Sequence, residues 1–397
     1  VGTEEVTRRL REQFVDRLVG EGAITSPEWE AVFRRVPRHH FVPRVVGWWP
    51  PDSGETEGLL DEEHDRERWL QLVYSDRLLL VVKEGGRQSS SSMPSVMMRF
   101  LKGLAVQDGS TVLEIGTGTG YNAALLCERL RSERVTSIDV DAELVAQAGE
   151  RLSACGYGPT LAVGDGLHGL AARAPYDRII ATCAVPRIPQ AWLDQLAPGG
   201  IIVTPLAGGH FEPVGLVKLT AQADGSFSGH FHPGGASFMP LRTPAQVADE
   251  CVETLDALVR AGGGETRPCR VPDWLRGGPR EVNVTRQGVG LEPNFMVRLE
   301  VAELRWYWLD GRDGRAQPAI ASVADRSWAR VTMDEDGTAF VTQGGPRRLW
   351  DVVERSWDLF LHLGRPHMGR YGMTITPDRR QIVWLDDPAS EHSWDLS

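Results

Sequence analysis

Residues 110–130 read STVLEIGTGTGYNAALLCERL, an apolar run, then glycine at every second position, then a stretch with apolar residues at helical spacing. The apolar run predicts a buried strand over STVLEIG, and YNAALLCERL predicts the helix that follows it. Alternate glycines between the two let the backbone turn sharply and approach a ligand without Cβ interference. The helix that opens there presents free N–H groups to an anionic group. Glu114, Gly116, Thr117, Gly118 and Gly120 are therefore the first candidates for a cofactor-binding loop.

Outward from this loop the same grammar repeats. RVTSIDV (134–140) predicts a strand, AELVAQAGERLSAC (142–155) a helix and YDRIIATCA (176–184) a strand; PQAWLDQL (189–196) predicts a helix before the Pro-Gly-Gly turn at 198–200 and the strand IIVTPL (201–206). Such alternation over 111–206 implies an α/β domain built on a parallel sheet. GLVKLTAQADGSFSGHF (215–231) follows as a hairpin around Asp224-Gly225. Upstream, 4–19 and 27–35 carry helical periodicity, VPRHHFVPR (36–44) reads as a turn because its prolines bar a helix, and 50–67 reads as a solvated acidic loop.

After about residue 243 the pattern changes. TPAQVADECVETLDALVRAGGG (243–264) predicts a helix, FMVRLEVAELRWYWL (295–309), SWARVTMDEDGTAFVTQ (327–343) and RQIVWLD (380–386) predict strands, and RRLWDVVERSWDLFLHLG (347–364) predicts a helix. Eight of the 13 tryptophans lie beyond residue 270, as an α+β domain with an aromatic-rich core or binding face would require. A chain of 397 residues exceeds what one core usually supports. Two domains are expected, 1–242 and 243–397.

Composition narrows the function classes. Hydrophobic residues make up 41% and charged residues 24%, within the range of globular proteins. A net charge of −11 argues against tracking the phosphates of a nucleic acid, which needs clustered Lys and Arg. No apolar run approaches the length of a membrane span, so no membrane partner and a cytoplasmic location are expected. The five cysteines (Cys127, Cys155, Cys183, Cys251, Cys269) form no C-x-x-C pair and read as ordinary buried thiols. His39-His40 and His230-x-His232 lack carboxylate or Cys partners at ligand spacing, so they read as surface or capping residues and no metal site is expected.

Which nucleotide-type ligand the loop takes is the next question. Read from Gly118, GTGYNA satisfies a dinucleotide fingerprint, so a nicotinamide enzyme is a rival. Asp139, ending the next strand, would hydrogen-bond ribose hydroxyls in either case. Two features favour S-adenosylmethionine. Gly164-Asp165-Gly166 falls where the third strand ends and suits an adenine amino group. Gln88-Ser89-Ser90-Ser91-Ser92-Met93-Pro94 offers consecutive hydroxyls to an anionic oxygen without a charge that would repel a sulfonium; a serine run also reads as a flexible loop.

These residues resemble a known family, the protein-L-isoaspartate O-methyltransferases. The resemblance runs from the N-terminus to about residue 242 through VPRHHFVPR, Tyr74-Ser75-Asp76, Ser92-Met93-Pro94, VLEIGTGTGYNAALL, the GDG at 164–166, ATCAVPRIPQAWLDQLAPGGIIVTPL and SFMPLR (237–242). It implies a Rossmann-like S-adenosylmethionine-dependent methyltransferase domain followed by a C-terminal α+β domain. It implies that Gly116, Gly118, Asp139, Asp165 and Gly166 bind S-adenosylmethionine, with S-adenosylhomocysteine as product. Ser92 would be the catalytic hydroxyl meeting the substrate carboxylate, with Ser90, Ser91 and Met93 beside it. Family members usually carry Thr-Ile-Ser-Gln-Pro where this chain has Ser90 to Pro94, so Met93 removes two hydrogen-bonding groups near the substrate.

The extension beyond 242 resembles that of long actinobacterial relatives associated with modified ribosomal peptides: lanthipeptides, graspetides and lasso peptides. That resemblance implies methylation of an aspartyl side chain in a constrained peptide, the ester then closing to a succinimide or isoaspartate. Two alternatives stand beside it: a general repair enzyme for isoaspartyl damage, and a non-catalytic peptide-binding protein that keeps the cofactor fold. The partner in all three is a peptide or protein carrying Asp or isoAsp.

Overall fold

The computed structural model describes residues 3–49, 57–82, 88–206, 213–234, 236–243, 257, 259–260, 262–275, 291–301, 304–311, 316–322, 324–334 and 336–396. The chain forms two compact units, Val1–Thr182 with Ala191–Val203, and Cys183–Gln190 with Thr204–Ser397.

The first unit opens with helices α1 (Thr3–Gly20), α2 (Pro27–Arg35) and α3 (Arg38–Phe41). Helix α2 starts where Ser26 Oγ accepts the N–H of Trp29 and Pro27 takes the first turn, and it buries Trp29, Val32 and Phe33. The stretch expected to be a turn at 36–44 thus holds a short helix between its two prolines. Strands β1 (Arg44–Trp49) and β2 (Glu57–Asp61), helix α4 (Arg66–Val73), strands β3 (Leu78–Val82) and β4 (Gln88–Ser91) and helix α5 (Pro94–Leu104) follow. The four strands make an antiparallel sheet in the order β2-β1-β3-β4.

The acidic stretch at 50–67 lies outside the described residues over 50–56, and the remainder is structured rather than a solvated loop. Glu57–Asp61 is strand β2, and Asp65 caps α4 by accepting the Arg68 N–H at 3.1 Å. Short acidic side chains at these positions serve the backbone, a use that composition alone does not separate from solvation.

The expected α/β alternation is present: β5 (Val112–Ile115), α6 (Tyr121–Leu130), β6 (Val135–Asp139), α7 (Ala142–Ala154), β7 (Thr160–Val163), β8 (Tyr176–Ala181), α8 (Gln190–Gln195) and β9 (Leu196–Leu206). The strands pair in parallel in the order β9-β8-β5-β6-β7. All four residues of β5 are buried. The chain leaves β5 toward β6 and β7, then crosses back to β8 on the other side. The carboxyl end of β5 is therefore a topological switch point, where open α/β sheets hold their ligands.

The second unit contains two antiparallel sheets. One consists of β10 (Pro213–Ala221), β11 (Phe227–Phe231), β18 (Tyr371–Ile375), β19 (Gln381–Leu385) and β20 (Ser393–Asp395), with β12 (Ala236–Ser237) pairing β10. The predicted hairpin is β10–β11, and β11 takes β18 from the end of the chain on its other edge. The other sheet runs β13-β17-β16-β15-β14, using β13 (Glu265–Pro268), β14 (Leu304–Asp310), β15 (Ala316–Ser322), β16 (Trp328–Met333) and β17 (Ala339–Gly344).

One element differs from expectation. Residues 295–309 were expected as a strand, but helix α9 (Leu291–Glu300) takes up the first part and only β14 is extended. Phe295, Met296, Val297 and Leu299 are all buried, with Phe295 edge-on to Phe231 at 4.9 Å and to Tyr371 at 5.3 Å. A helix buried nearly all round loses its 3.6-residue period, so its sequence does not differ from that of a buried strand. The helix predicted at 243–264 falls largely outside the described residues. Helix α10 (Leu349–His362) forms as predicted and covers the second sheet, with Trp350 fully buried. Trp328 is also buried, while Trp306, Trp308 and Trp357 pack half-buried against the same core. Most of the aromatic content of this region is core.

Candidate active site

The loop after β5 is fixed from several sides. Gly116, Gly118 and Gly120 have φ of 93°, 51° and 87°, in the left-handed region that side chains with a Cβ disfavour. At Gly120 a Cβ would also stand 3.1 Å from that of Ala148 on α7, so the close approach of α7 needs glycine there. The Gly116 N–H donates to the Ile138 carbonyl at 2.8 Å, which pins the loop to β6. The Gly118 N–H donates to Asp139 Oδ2 at 3.0 Å, and the other carboxylate oxygen accepts from the Asp141 N–H at 3.1 Å.

Behind the loop lies a buried polar network. Glu114 is fully buried and accepts from Asn122 Nδ2 at 2.7 Å and from Ser137 Oγ at 2.5 Å. Ser137 Oγ also lies 2.7 Å from Thr117 Oγ1, on the loop itself. Burial pushes the Glu114 carboxyl up to about 7, against the two hydrogen bonds that favour its charged form and with Asp139 adding repulsion. Glu114 and Thr117 thus brace the loop with atoms engaged inside the protein. Asn122 and Ser137 carry this bracing, and neither was singled out from the sequence.

The third candidate segment joins the same site. The Gly164 N–H donates to the Asp139 carbonyl at 2.9 Å. Asp165 Oδ1 accepts the Leu167 N–H at 2.9 Å, capping a short 3₁₀ turn, and Trp192 Nε1 donates to the Gly166 carbonyl at 2.8 Å. The glycine loop, Asp139 and Gly164-Asp165-Gly166 are therefore brought together at the carboxyl ends of β5, β6 and β7. A glycine loop that lets a ligand approach the backbone closely and two partly accessible carboxylates form a site suited to an adenosine carrying a sulfonium.

The serine run is a strand, not a flexible loop. Ser89, Ser90 and Ser91 pair with Val81, Leu80 and Leu79 of β3. Ser89 and Ser91 are buried, Ser90, Ser92 and Met93 half-buried. A Cβ placed on Gly118 would stand 3.8 Å from Ser89 Oγ and 3.9 Å from the Ser90 carbonyl oxygen. The strand thus passes directly against the glycine loop. Met93 sits at the cap of α5 with no side-chain cap bond, Pro94 takes the first turn, and Asp76 Oδ1 accepts the Ser95 N–H at 2.8 Å.

The histidines have local roles. His39 Nδ1 lies 2.6 Å from the hydroxyl of Tyr74, and burial lowers its pKa to about 4, so it is a packed neutral group rather than a surface residue. His230 is edge-on to Trp384 at 5.0 Å. Among the described residues no group of three or more His, Cys, Asp or Glu could hold a metal ion. Cys127 is buried, and burial raises the Cys127 and Cys269 thiols to about 12; Cys155 and Cys183 are half-buried, and Cys251 lies outside the described residues. No described helix is long and apolar enough to cross a membrane.

The model of the family described as protein-L-isoaspartate(D-aspartate) O-methyltransferase matches residues 60–243. A protein-L-isoaspartate O-methyltransferase of Methanopyrus kandleri is 34% identical over 241 residues, covering 60% of this chain and 93% of that protein. The chain belongs to the protein-L-isoaspartate O-methyltransferase family. A second family member, from Methanoculleus marisnigri, is 34% identical over 235 residues, covering 59% of this chain and 92% of its own. A solved structure named as a protein-L-isoaspartate O-methyltransferase superposes with a TM-score of 0.52 at 19% identity, covering 95% of this chain and all of its own. At that identity the likeness concerns the fold. Because it spans 95% of the chain, most of the region beyond 242 has a counterpart within a family fold.

Arg38 was not singled out from the sequence, although it lies in the VPRHHFVPR segment that carries the family resemblance. Fully buried, it donates to backbone carbonyls at 73, 75, 77 and 92 and to the Ser91 hydroxyl. Its partners lie 35 to 54 residues away. No local pattern signals such contacts.

Proposed function

We propose that this chain transfers the methyl group of S-adenosylmethionine to a carboxylate of an aspartyl or isoaspartyl residue in a peptide or protein. The observation that carries the reading is the passage of the serine strand β4 against Gly118, where Ser89 Oγ and the Ser90 carbonyl stand next to the candidate donor loop. In this reading Gly116, Gly118, Gly120, Asp139, Asp165 and Gly166 hold the donor, with Glu114 and Thr117 bracing them. Ser92 meets the substrate carboxylate, flanked by Ser90, Ser91 and Met93. A bond forms between carboxylate oxygen and methyl carbon while the carbon–sulfur bond breaks, its electron pair staying on sulfur. A carboxylate is ionised at neutral pH, so the protein supplies no general base. Its contribution is to align the reacting atoms, which is worth several kcal/mol.

In its finer form the substrate is an unmodified aspartate in a constrained ribosomal peptide, the ester then closing to a succinimide. Met93 in place of the family's usual Gln supports this by removing two hydrogen-bonding groups beside the acceptor. Residues 243–397 would select the peptide. A second reading, repair of isoaspartyl proteins, is favoured by the family match and by the solved family structure that spans most of the C-terminal region. Initial methylation rates on matched Asp and isoAsp peptides, linear and constrained, separate the two. Preference for a constrained Asp peptide supports tailoring, and preference for linear isoAsp supports repair.

A further inference from the structure

Arg38 stands at the join between α3, the 73–77 segment and the acceptor strand. Its Nη1 donates to the carbonyls of Val73 and Ser75, both at 2.9 Å. Its Nη2 is shared among the Arg77 carbonyl (3.2 Å), Ser91 Oγ (3.3 Å) and the Ser92 carbonyl (3.2 Å). The guanidinium carbon also lies 5.7 Å from the ring centre of Tyr121, the residue after Gly120. One side chain therefore contacts the acceptor strand at Ser91 and Ser92 and the first residue of the helix behind the donor loop.

All these acceptors are neutral, yet arginine stays protonated in proteins. Asp76 is the carboxylate that acts on it electrostatically, and one oxygen of Asp76 is taken by the Ser95 N–H. Burying a cation among neutral carbonyls costs several kcal/mol unless an opposing charge meets it. A neutral donor would hold the same carbonyls at lower cost. Asp76 offsets part of this cost, and an anion docking next to Ser92 would offset more.

We propose that Arg38 is the positioning residue of the acceptor site, setting Ser92 in place and supplying, without contact, a positive charge that favours a substrate carboxylate there. The inference rests on the acceptor role assigned to Ser92 above. It predicts a preference for carboxylate over carboxamide that originates at Arg38.

The test uses the full chain and a substrate peptide, with the same peptide carrying Asn at the acceptor position as a neutral analogue. Binding of both is measured for wild type, Arg38→Lys, Arg38→Gln and Asp76→Asn, alongside S-adenosylmethionine affinity. Removing this buried charge should cut the carboxylate-to-amide preference by about tenfold or more in Arg38→Gln. Arg38→Lys should keep part of the preference, and donor affinity should stay within about twofold in both. A purely structural role would weaken both peptides equally and leave the ratio unchanged, which overturns the proposal. If both Arg38 variants fail to fold, Asp76→Asn decides, since it removes the carboxylate that offsets the Arg38 charge and keeps an acceptor for the Ser95 N–H. A raised ratio there supports the assignment and an unchanged one contradicts it. Wild-type protein that methylates neither Asp nor isoAsp peptides would instead refute the carboxyl-transfer reading, whatever the Arg38 variants do.

Discussion

The amide of Gly118 and the carboxylate of Asp139 are joined by a hydrogen bond of 3.0 Å, so the residue cast as the ribose acceptor also shapes the loop that faces the donor. Asp139 carries a second such duty through its carbonyl, which holds Gly164. One residue thus couples the glycine loop, through its side chain, to the 164–166 segment, through its backbone carbonyl.

Asp139→Ala should therefore weaken S-adenosylmethionine binding by removing a ligand contact and loosening Gly118 together. Loss of hydrogen bonds to a charged acceptor corresponds to about 1 to 3 kcal/mol, or roughly 5- to 150-fold in Kd. Calorimetry on the folded variant reads this directly. Unchanged affinity would remove Asp139 from the site.

Ser92→Ala should lower kcat/KM for the peptide by about tenfold while donor affinity holds, because the lost hydroxyl faces the acceptor. Met93→Gln should shift the Asp to isoAsp rate ratio toward isoAsp. Paired initial rates measure both. A ratio identical to wild type would show that Met93 does not set the preference.

Much of this site is legible in the sequence, because strand, glycine turn and helix are adjacent in the chain. The spacing of VLEIGTGTG, Asp139 and Gly164-Asp165-Gly166 is enough to place them on consecutive strand ends. The serine run was harder. Its pairing with β3 and its approach to Gly118 are contacts across the fold, and a polar run carries no alternation to mark a strand. Arg38 is the extreme case, with every partner far away in sequence. Helix α9 is hidden in the sequence for the opposite reason: burial of Asn294 and Arg298 along with the apolar residues leaves no polar face to reveal its period.

Glu114→Gln should flatten part of the pH dependence of stability. The folded-state pKa is raised, so the wild-type carboxyl favours folding most at low pH, and that contribution is lost as pH rises from the ordinary value of 4.5 through about 7. Glutamine has no such proton to lose. It keeps an acceptor for Asn122, and Ser137 can turn to accept from the new amide. The variant should gain stability relative to wild type above neutral pH, by at most about 3 kcal/mol. Chemical denaturation at about pH 4 and about pH 8, on either side of the window, checks the sign. A variant that loses more stability at the higher pH would contradict the assignment of a raised Glu114 pKa.

The C-terminal role is testable without truncation, which would strip β11 of its partner β18. A substrate peptide carrying a photoreactive group several residues from the acceptor Asp should label residues within 243–397. Labels confined to 1–242 would remove recognition from the C-terminal region.

The central claim is carboxyl methylation of a peptide. Incubating the full chain with S-adenosylmethionine and matched Asp and isoAsp peptides, followed by mass spectrometry over time, tests it most directly. The account predicts a product heavier by one methylene group, absent when the acceptor is replaced by Asn, which later loses methanol as the ester closes to a succinimide. A methylated product that also forms on the Asn peptide, or turnover of the donor with no gain on either carboxylate, would contradict it.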